Sequence, residues 1–445
     1  MKWIKKIMAF LMGGLAMVGV FFLLYQIDSY TEQKVVSSPK EEEFWVITDN
    51  HLLAKSLFDQ GKAFTTISKT TAGKDLQYNE EIMEALVKKA LKEKPQGLIL
   101  TGDLTLNGEK KSLERLGEIL APLEKAGILV LAIPGNHDIY DGWARAFVGD
   151  KQKVVDQISP RDFEKILPSD FKAAHSRDKN SLSYTIDTTD YRLFLLDSNI
   201  YTVEPSRMAP ITGGRFKKET LTWLEAQLKE AKEDKKTPLL FMHHNLLPHN
   251  TRMPKGWVLD NAEEVLALVK KYQVPVAFSG HIHLQDIMAN EDQSFYEVVT
   301  SSFSIVETHV GYLTLTPDKL HYQVENFDPT PYFSKKQLAN PDLKNYPQYI
   351  HDFFKADQAK IAYQRFYLQD IYDEKITDPV AELFGEAHIR YFTGNNQLSS
   401  EEIAKIKASS SYQLAEKYDF ARSLTTSFSD SNTPNNRELT IEIVK

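Results

Sequence analysis

Five short stretches of the chain carry side chains suited to holding a metal ion or moving a proton. Asp49 and His51 stand two apart, and Asp103 follows a glycine. Asn136, His137 and Asp138 follow Pro134-Gly135, His243 and His244 are adjacent, and His281 and His283 stand two apart. Carboxylate oxygen, amide oxygen and imidazole nitrogen suit Mn, Fe or Zn rather than soft Cu(I). An imidazole can also pass a proton, and a neighbouring carboxylate can fix its tautomer. Each stretch taken singly is commonplace, since most D-x-H or paired-histidine sequences are ordinary polar loops. The weight lies in what precedes them.

Each stretch follows an apolar run that reads as a buried strand. Residues 44–48 lead into Asp49, Gly97–Thr101 into Gly102-Asp103, and 128–133 into Pro134. Thr237–Met242 leads into His243, and 274–278 into Ser279-Gly280-His281. Helical periodicity separates them, over 79–94, 109–125, 217–234 and 261–272. This alternation predicts βαβ layers, which put chemistry at the carboxyl ends of their strands. Residues 54–78 form a long polar connection, with Thr70 to Lys74 inside it, placed to shape an entrance. Residues 182–186 and 191–196 read as a strand pair, and short strands from 286 to about 327 as an antiparallel extension. A short helix is expected after Ser159-Pro160. Tyr140, His249 and Arg252 lie in nearby loops; Tyr140 is read as packing, with lining the cleft as its alternative, and His249 and Arg252 as ordinary loop residues, with contact to a substrate phosphate as theirs. His175, His309, His321, His351 and His388 belong to no motif.

The chain has 445 residues, 42% hydrophobic and 26% charged, enough for two or three domains. Its net charge of -8 is spread along the sequence and gives no basic face for polymeric nucleic acid. A small anionic substrate stays compatible, because a bound metal dominates its local field. There is no cysteine, which excludes disulfides, thiolate chemistry, Cys-ligated zinc or iron–sulfur sites and a lipidated cysteine. Lys2, Lys5 and Lys6 precede an uncharged run over 7–25. As a helix that run is about 28 Å long, close to a bilayer's hydrocarbon core. Residues 1–25 are therefore expected to be a signal anchor, with the N-terminus cytoplasmic and the remainder outside. Cleavage and secretion is the alternative, although no good small-x-small site follows Tyr25. Residues 26–43 read as a solvated linker.

Near residue 328 the composition changes. Pro329, Pro331, Pro341 and Pro347 mark a linker, and helices are expected over 348–370, from an Asp378-Pro379 cap to 392, and over 399–418. Residues 439–444 can add a strand. The expectation is a catalytic domain at 44–327 and a mainly helical domain at 328–445. The helical part either packs on the catalytic part or overhangs its cleft and restricts substrate size.

The ordered set D-x-H, G-D, G-N-H-D, strand-end His and G-H-x-H resembles the calcineurin-like metallophosphoesterases over about residues 44–325. G-D-L-T-x-x-G and G-N-H-D look most like the bacterial cyclic-nucleotide phosphodiesterase branch, some of whose members carry an extra C-terminal domain. The resemblance implies an α/β fold, a four-layer αββα sandwich presenting seven ligands to two divalent or trivalent metal ions. Mn and Fe are the foremost candidates and Zn the third. Asp49, His51, Asp103 and His283 would hold one ion; Asp103, Asn136, His243 and His281 would hold the other, with Asp103 bridging. A hydroxide shared by the metals would attack the phosphorus, His137 would protonate the leaving alkoxide, and Asp138 would orient His137. His243 rather than His244 matches the family's ligand. One departure stands out: Leu106 occupies the place of a second Asp found in many relatives. The G-D-x-x-D-R-G pattern of protein phosphatases is also absent, which argues against a phosphoprotein substrate.

The implied function is hydrolysis of small phosphodiesters, cyclic nucleotides foremost, by a membrane-anchored enzyme facing outward. The alternatives are a phosphomonoesterase, nucleotidase or pyrophosphatase on the same centre, and a non-catalytic surface scaffold. A scaffold predicts missing ligands, and none is missing. Oligomeric state is left open.

Overall fold

The computed structural model describes residues 41–250, 255–428 and 435–443. The expected anchor over 1–25 and residues 26–40 of the expected linker lie outside this set. Among the described residues, no helix is long and apolar enough to cross a membrane.

The strands are β1 (Glu42–Ile47), β2 (Gly97–Thr101), β3 (Leu129–Ile133), and the hairpin β4 (Arg145–Val148) and β5 (Lys151–Val154). They continue with β6 (Ser176–Arg177), β7 (Tyr184–Asp187), β8 (Tyr191–Leu196), β9 (Thr237–Met242) and β10 (Val276–Ser279). The last five are β11 (Asp286–Ala289), β12 (Tyr296–Val299), β13 (His309–Thr316), β14 (Lys319–Asn326) and β15 (Glu438–Glu442). One sheet has the order β15-β14-β13-β1-β2-β3, and the other β11-β12-β10-β9-β8-β7-β6. The site-bearing strands are parallel: β1 with β2, β2 with β3, β8 with β9, and β9 with β10.

Two-residue alternation stacks these sheets. Phe44 and Val46, Ile99, Leu131 and Ile133 face inward and meet Leu239, Phe241, Val276 and Phe278 of the second sheet. Phe241 and Phe278 stack with ring centroids 4.9 Å apart. Burying each such ring contributes about 1.5–3 kcal/mol. Trp45 and Ile47, Leu98 and Leu100 face the opposite way, onto helices Asn79–Glu93 and Lys110–Lys125. Leu240 and Met242 face helices Lys218–Glu233 and Ala262–Tyr272. The layers are therefore α, β, β, α.

Helices Tyr346–Tyr367 and Glu374–Phe392 pair around Phe366, Val380 and Phe384, and shorter helices add Tyr412, Phe420 and Leu424. This region does not stand apart. Ile389 and Phe354 pack on Ile305 and Val306, and β15 returns to pair antiparallel with β14.

Local expectations fail in three places. The 54–78 connection contains a helix, Lys62–Ser68, with Ala63 and Phe64 buried. The helix expected over 399–418 is two, Ser400–Lys407 and Ser410–Lys417, because Ser409 caps a new start by accepting from the Tyr412 N–H. Asp378-Pro379 is not a helix start. Asp373 caps the helix through the Lys375 N–H, and Pro379 lies inside it. Pro379 cannot donate to the Lys375 carbonyl one turn back. Pro379→Ala is accordingly expected to stabilise the chain by about 1–3 kcal/mol, measured by denaturant unfolding. A destabilisation would contradict that account.

Candidate dinuclear metal centre

The parallel strands of both sheets end at one edge, and the candidate ligands follow directly. Thr48 to His51 continue β1, Gly102-Asp103 continue β2, and Pro134 to Asn136 continue β3. His243 follows β9, and Gly280 to His283 follow β10. The ligands themselves tie the sheets together. The His281 N–H donates to Asp49 Oδ2 at 3.0 Å, and His243 Nδ1 lies 2.9 Å from the Thr101 carbonyl oxygen.

Two groups form around a shared carboxylate: Asp49, His51, Asp103 and His283, and Asp103, His243 and His281. His51 Nε2 lies 3.6 Å from Asp103 Oδ2 and 3.2 Å from His283 Nε2. His243 Nε2 lies 3.4 Å from Asp103 Oδ2, 3.2 Å from His281 Nδ1 and 3.2 Å from Asn136 Oδ1. Asn136 therefore joins the second group. These donors fit two metal ions on structural grounds. Asp49 Oδ1 is buried without a hydrogen bond, and neither Asp49 nor Asp103 pairs with Lys or Arg among the described residues. A buried carboxylate pair of this kind calls for a cation.

The backbone is bent to make the cluster. Asp49, His51, Asp103, His281 and His283 all have positive φ, between 46° and 70°. The left-handed region costs a non-glycine residue roughly 1–2 kcal/mol. Gly135 is needed for close approach, since a Cβ there would collide with the Asp103 backbone nitrogen and side chain.

Electrostatics match this arrangement. Burial pushes the Asp103 carboxyl up, but His243, His137 and His51 outweigh it and hold it well below the usual carboxylate range. Asp49 is likewise pushed up by burial and brought below its ordinary value by His283. Burial lowers His243, yet Asp103 more than offsets this and raises it to about 9. Burial and then His243 lower His281 to about 3.

His137 stands beside this cluster, its backbone N–H donating to Asp103 Oδ1 at 2.8 Å. The expected pairing of His137 with Asp138 is corrected by the structure. The Asp138 carboxylate accepts from the Gly135, Leu104 and Thr105 N–H groups and from the Thr105 hydroxyl. It clamps the β2 and β3 loops together and turns away from the neighbouring imidazole. His137 Nδ1 instead lies 3.0 Å from Asn107 Oδ1 and 3.4 Å from Asp141 Oδ2. Asn107 and Asp141 lie outside the strand-end pattern, and only the proximity of Asp141 to G-N-H-D offered a signal.

His244 is buried against the cluster, its ring centroid 4.5 Å from that of His281 and 5.2 Å from that of His243, but its nitrogens are engaged elsewhere, Nδ1 2.8 Å from Ser198 Oγ and Nε2 3.1 Å from the Thr212 carbonyl oxygen. Burial, then His281 and His243, hold it well below an ordinary histidine. His249 is held between two buried carboxylates, Asp286 at 2.6 Å and Glu297 at 3.2 Å. Burial lowers its pKa, but the two acids raise it to about 10. Glu297 also accepts from the Leu246 and Leu247 N–H groups and from Ser279, so this triad fixes the segments carrying His243 and His281. Tyr140 packs against the core outside the first sheet. Arg252 lies outside the described residues. Lys74, unremarked in the sequence beyond its loop, is half-buried and interacts electrostatically with Asp103 and Asp49.

The family model described as calcineurin-like phosphoesterase matches residues 43–285, and that of the C-terminal domain of cyclic nucleotide phosphodiesterase matches 328–433. The chain is 28% identical over 194 residues to a glycerophosphodiester phosphodiesterase of Enterobacter lignolyticus, covering 43% of this chain and 58% of that relative. The match thus spans less than two thirds of the relative's length. A 3',5'-cyclic-nucleotide phosphodiesterase of Nostoc is 26% identical over 240 residues, 53% of this chain and 70% of its own. Among solved structures, a dimetal phosphatase from Danio rerio is similar with a TM-score of 0.49 at 15% identity, over 64% of this chain and 96% of the other.

Two measurements probe the supports of the centre. Gly135→Ala should drop bound metal below about one ion per chain after Mn loading, where the intact centre is read as taking two; full loading by elemental analysis would refute the close-approach argument. His249 is raised above the ~6.5 of an unfolded histidine, so its contribution to stability is complete below about pH 6.5 and fades as pH rises toward 10. His249→Gln should therefore lower Tm most near pH 6 and least near pH 10, and an equal loss at both would count against the charged triad.

Proposed function

The chain belongs to the calcineurin-like phosphoesterase family, and on that premise we propose that it is a metal-dependent phosphodiesterase acting on small phosphodiesters, cyclic nucleotides foremost. The sharing of Asp103 between two ligand groups carries the reading. The cyclic-nucleotide part draws support from the C-terminal family match and from the name of the Nostoc relative. The cationic start of the chain and its uncharged run over 7–25 support an anchored enzyme facing outward, with domains at 44–327 and 328–445.

Asp49, His51, Asp103 and His283 would hold one metal ion, and Asp103, Asn136, His243 and His281 the other, with Mn and Fe favoured over Zn. When bound, two such ions supply an activated water nucleophile and neutralise charge on the phosphoryl oxygens. The remaining work falls to the chain. Asn107 Oδ1 accepts and the Asp141 carboxylate stands 3.4 Å away as a negative charge, so together they keep a proton on His137 Nδ1 and favour the imidazolium. That leaves His137 Nε2 to give its proton to the departing alkoxide. Asp138 keeps the loop in place through its backbone bonds and positions His137 only indirectly.

Bis-p-nitrophenyl phosphate and p-nitrophenyl phosphate, assayed in parallel with Mn, Fe and Zn, test the substrate class. Faster diester turnover is expected, and faster monoester turnover would favour a phosphomonoesterase. His137→Ala should slow turnover by about 10²–10⁴-fold while leaving metal content unchanged. Asp141→Asn should also slow turnover, and the two changes together should cost little more than His137→Ala alone. Additive losses would separate Asp141 from His137. Asp103→Asn should remove activity and weaken metal loading together, and full activity would sink the shared-carboxylate reading.

A further inference from the structure

The segment 69–75 is clasped along its length by helix Tyr346–Tyr367 of the C-terminal region. Lys360 Nζ donates to the Lys69 carbonyl oxygen at 3.3 Å, and Tyr346 donates its hydroxyl to Asp75 Oδ2 at 3.1 Å. Gly73 lies directly under the Phe354 ring, where any side chain would collide. Its φ of +81° makes glycine the natural residue there. On the other side, the Asp75 N–H donates to the Ser304 carbonyl oxygen at 2.8 Å, and the Ser304 hydroxyl donates to the Asp49 carbonyl oxygen at 3.0 Å. Lys74 is thereby fixed between the C-terminal helix and the loop that carries Asp49.

Its ammonium interacts electrostatically with Asp103 and Asp49, and it adds to the burial that lowers His51 and His283. Asp357, on the clasping helix, also interacts with it electrostatically. Yet no ion pair or hydrogen bond engages its Nζ among the described residues, whereas Asp357 itself pairs with Lys360 at 2.9 Å. A surface lysine needs no such clasp. A half-buried ammonium at this centre would be repelled by two bound metal ions unless an anion lay within reach of both. A phosphoryl group is an anion of that kind, and lysine binds phosphate as a compact point charge.

We propose that Lys74 is a substrate-binding residue that grips a non-bridging phosphoryl oxygen, and that helix Tyr346–Tyr367 presents it to the centre. The assignment rests on reading that centre as a phosphoester site. It gives the C-terminal region a part in substrate binding, through a residue of the catalytic region.

Titration of the metal-loaded full chain with inorganic phosphate by calorimetry tests the proposal without requiring turnover. Lys74→Met should weaken phosphate binding by about 10–100-fold, the effect of losing one charged hydrogen bond. Lys74→Arg should restore most of it, and metal content and Tm should stay at wild-type values. Phe354→Leu should weaken phosphate binding in the same direction, because it loosens the clasp over Gly73. Phosphate affinity within about twofold of wild type for Lys74→Met would overturn the proposal. So would a parallel loss of metal, which would make Lys74 a counter-charge for the ligand carboxylates. Lys74-dependent phosphate binding in a wild-type chain that hydrolyses no diester would uphold Lys74 and sink the phosphodiesterase reading.

Discussion

Two carboxylates and four imidazoles are buried within a few ångströms of one another, with no arginine or lysine paired to either acid among the described residues. This concentration of charge governs the rest of the structure. It has to be assembled from segments distant in sequence, because no short peptide can aim so many donors at two points. Parallel strands from two stacked sheets answer that need by ending side by side. The last residues must then bend sharply inward, which accounts for the left-handed backbone at five candidate ligands. The strain sits where the surrounding hydrogen bonds over-determine it, from Asp138 under β2 and β3 to Glu297 under β9 and β10.

The helical region belongs to this support. Phe392 and Tyr391 pack beside Ile282, the residue between His281 and His283. The Gln285 N–H donates to the Phe392 carbonyl oxygen at 2.9 Å, two residues beyond His283. Arg437, just before β15, donates to the Thr393 carbonyl oxygen and to Asn326. The helices therefore meet the catalytic region behind one ligand loop and beside the segment holding Lys74, so a shift of those helices would be felt at both.

What was legible in the sequence was local. An apolar run of five or six residues followed within a few positions by His, Asp or Asn announces itself, and all seven candidate ligands lie at such places. That β1, β2 and β9 are buried on both faces was equally plain from their unbroken apolar runs. Features that depend on how loops fold back were hidden. Asp138 adjoins His137 in sequence, but its carboxylate meets four donors nearer than that ring; Asp141, one turn further on, reaches the ring instead. Asn107 and Lys74 are polar residues in polar loops and carry no periodic signal. Pro379 imitates a helix start, and only the capping bond of Asp373 shows that the helix had already begun. The break at Ser409 turns on a single side-chain oxygen that a run of helix formers conceals.

The pairing of β15 with β14 has a consequence in time. Every candidate ligand has been synthesised once residue 283 is added, and β14 is complete at Asn326. The neighbour that covers β14 is made only after the whole helical region, at Glu438–Glu442. Until then the nascent chain holds an open strand edge, a template on which another chain can add. The wait is governed by synthesis rather than by entropy, since closing a longer loop costs only slightly more. The chemical centre is thus encoded early, and the seal on its sheet comes last.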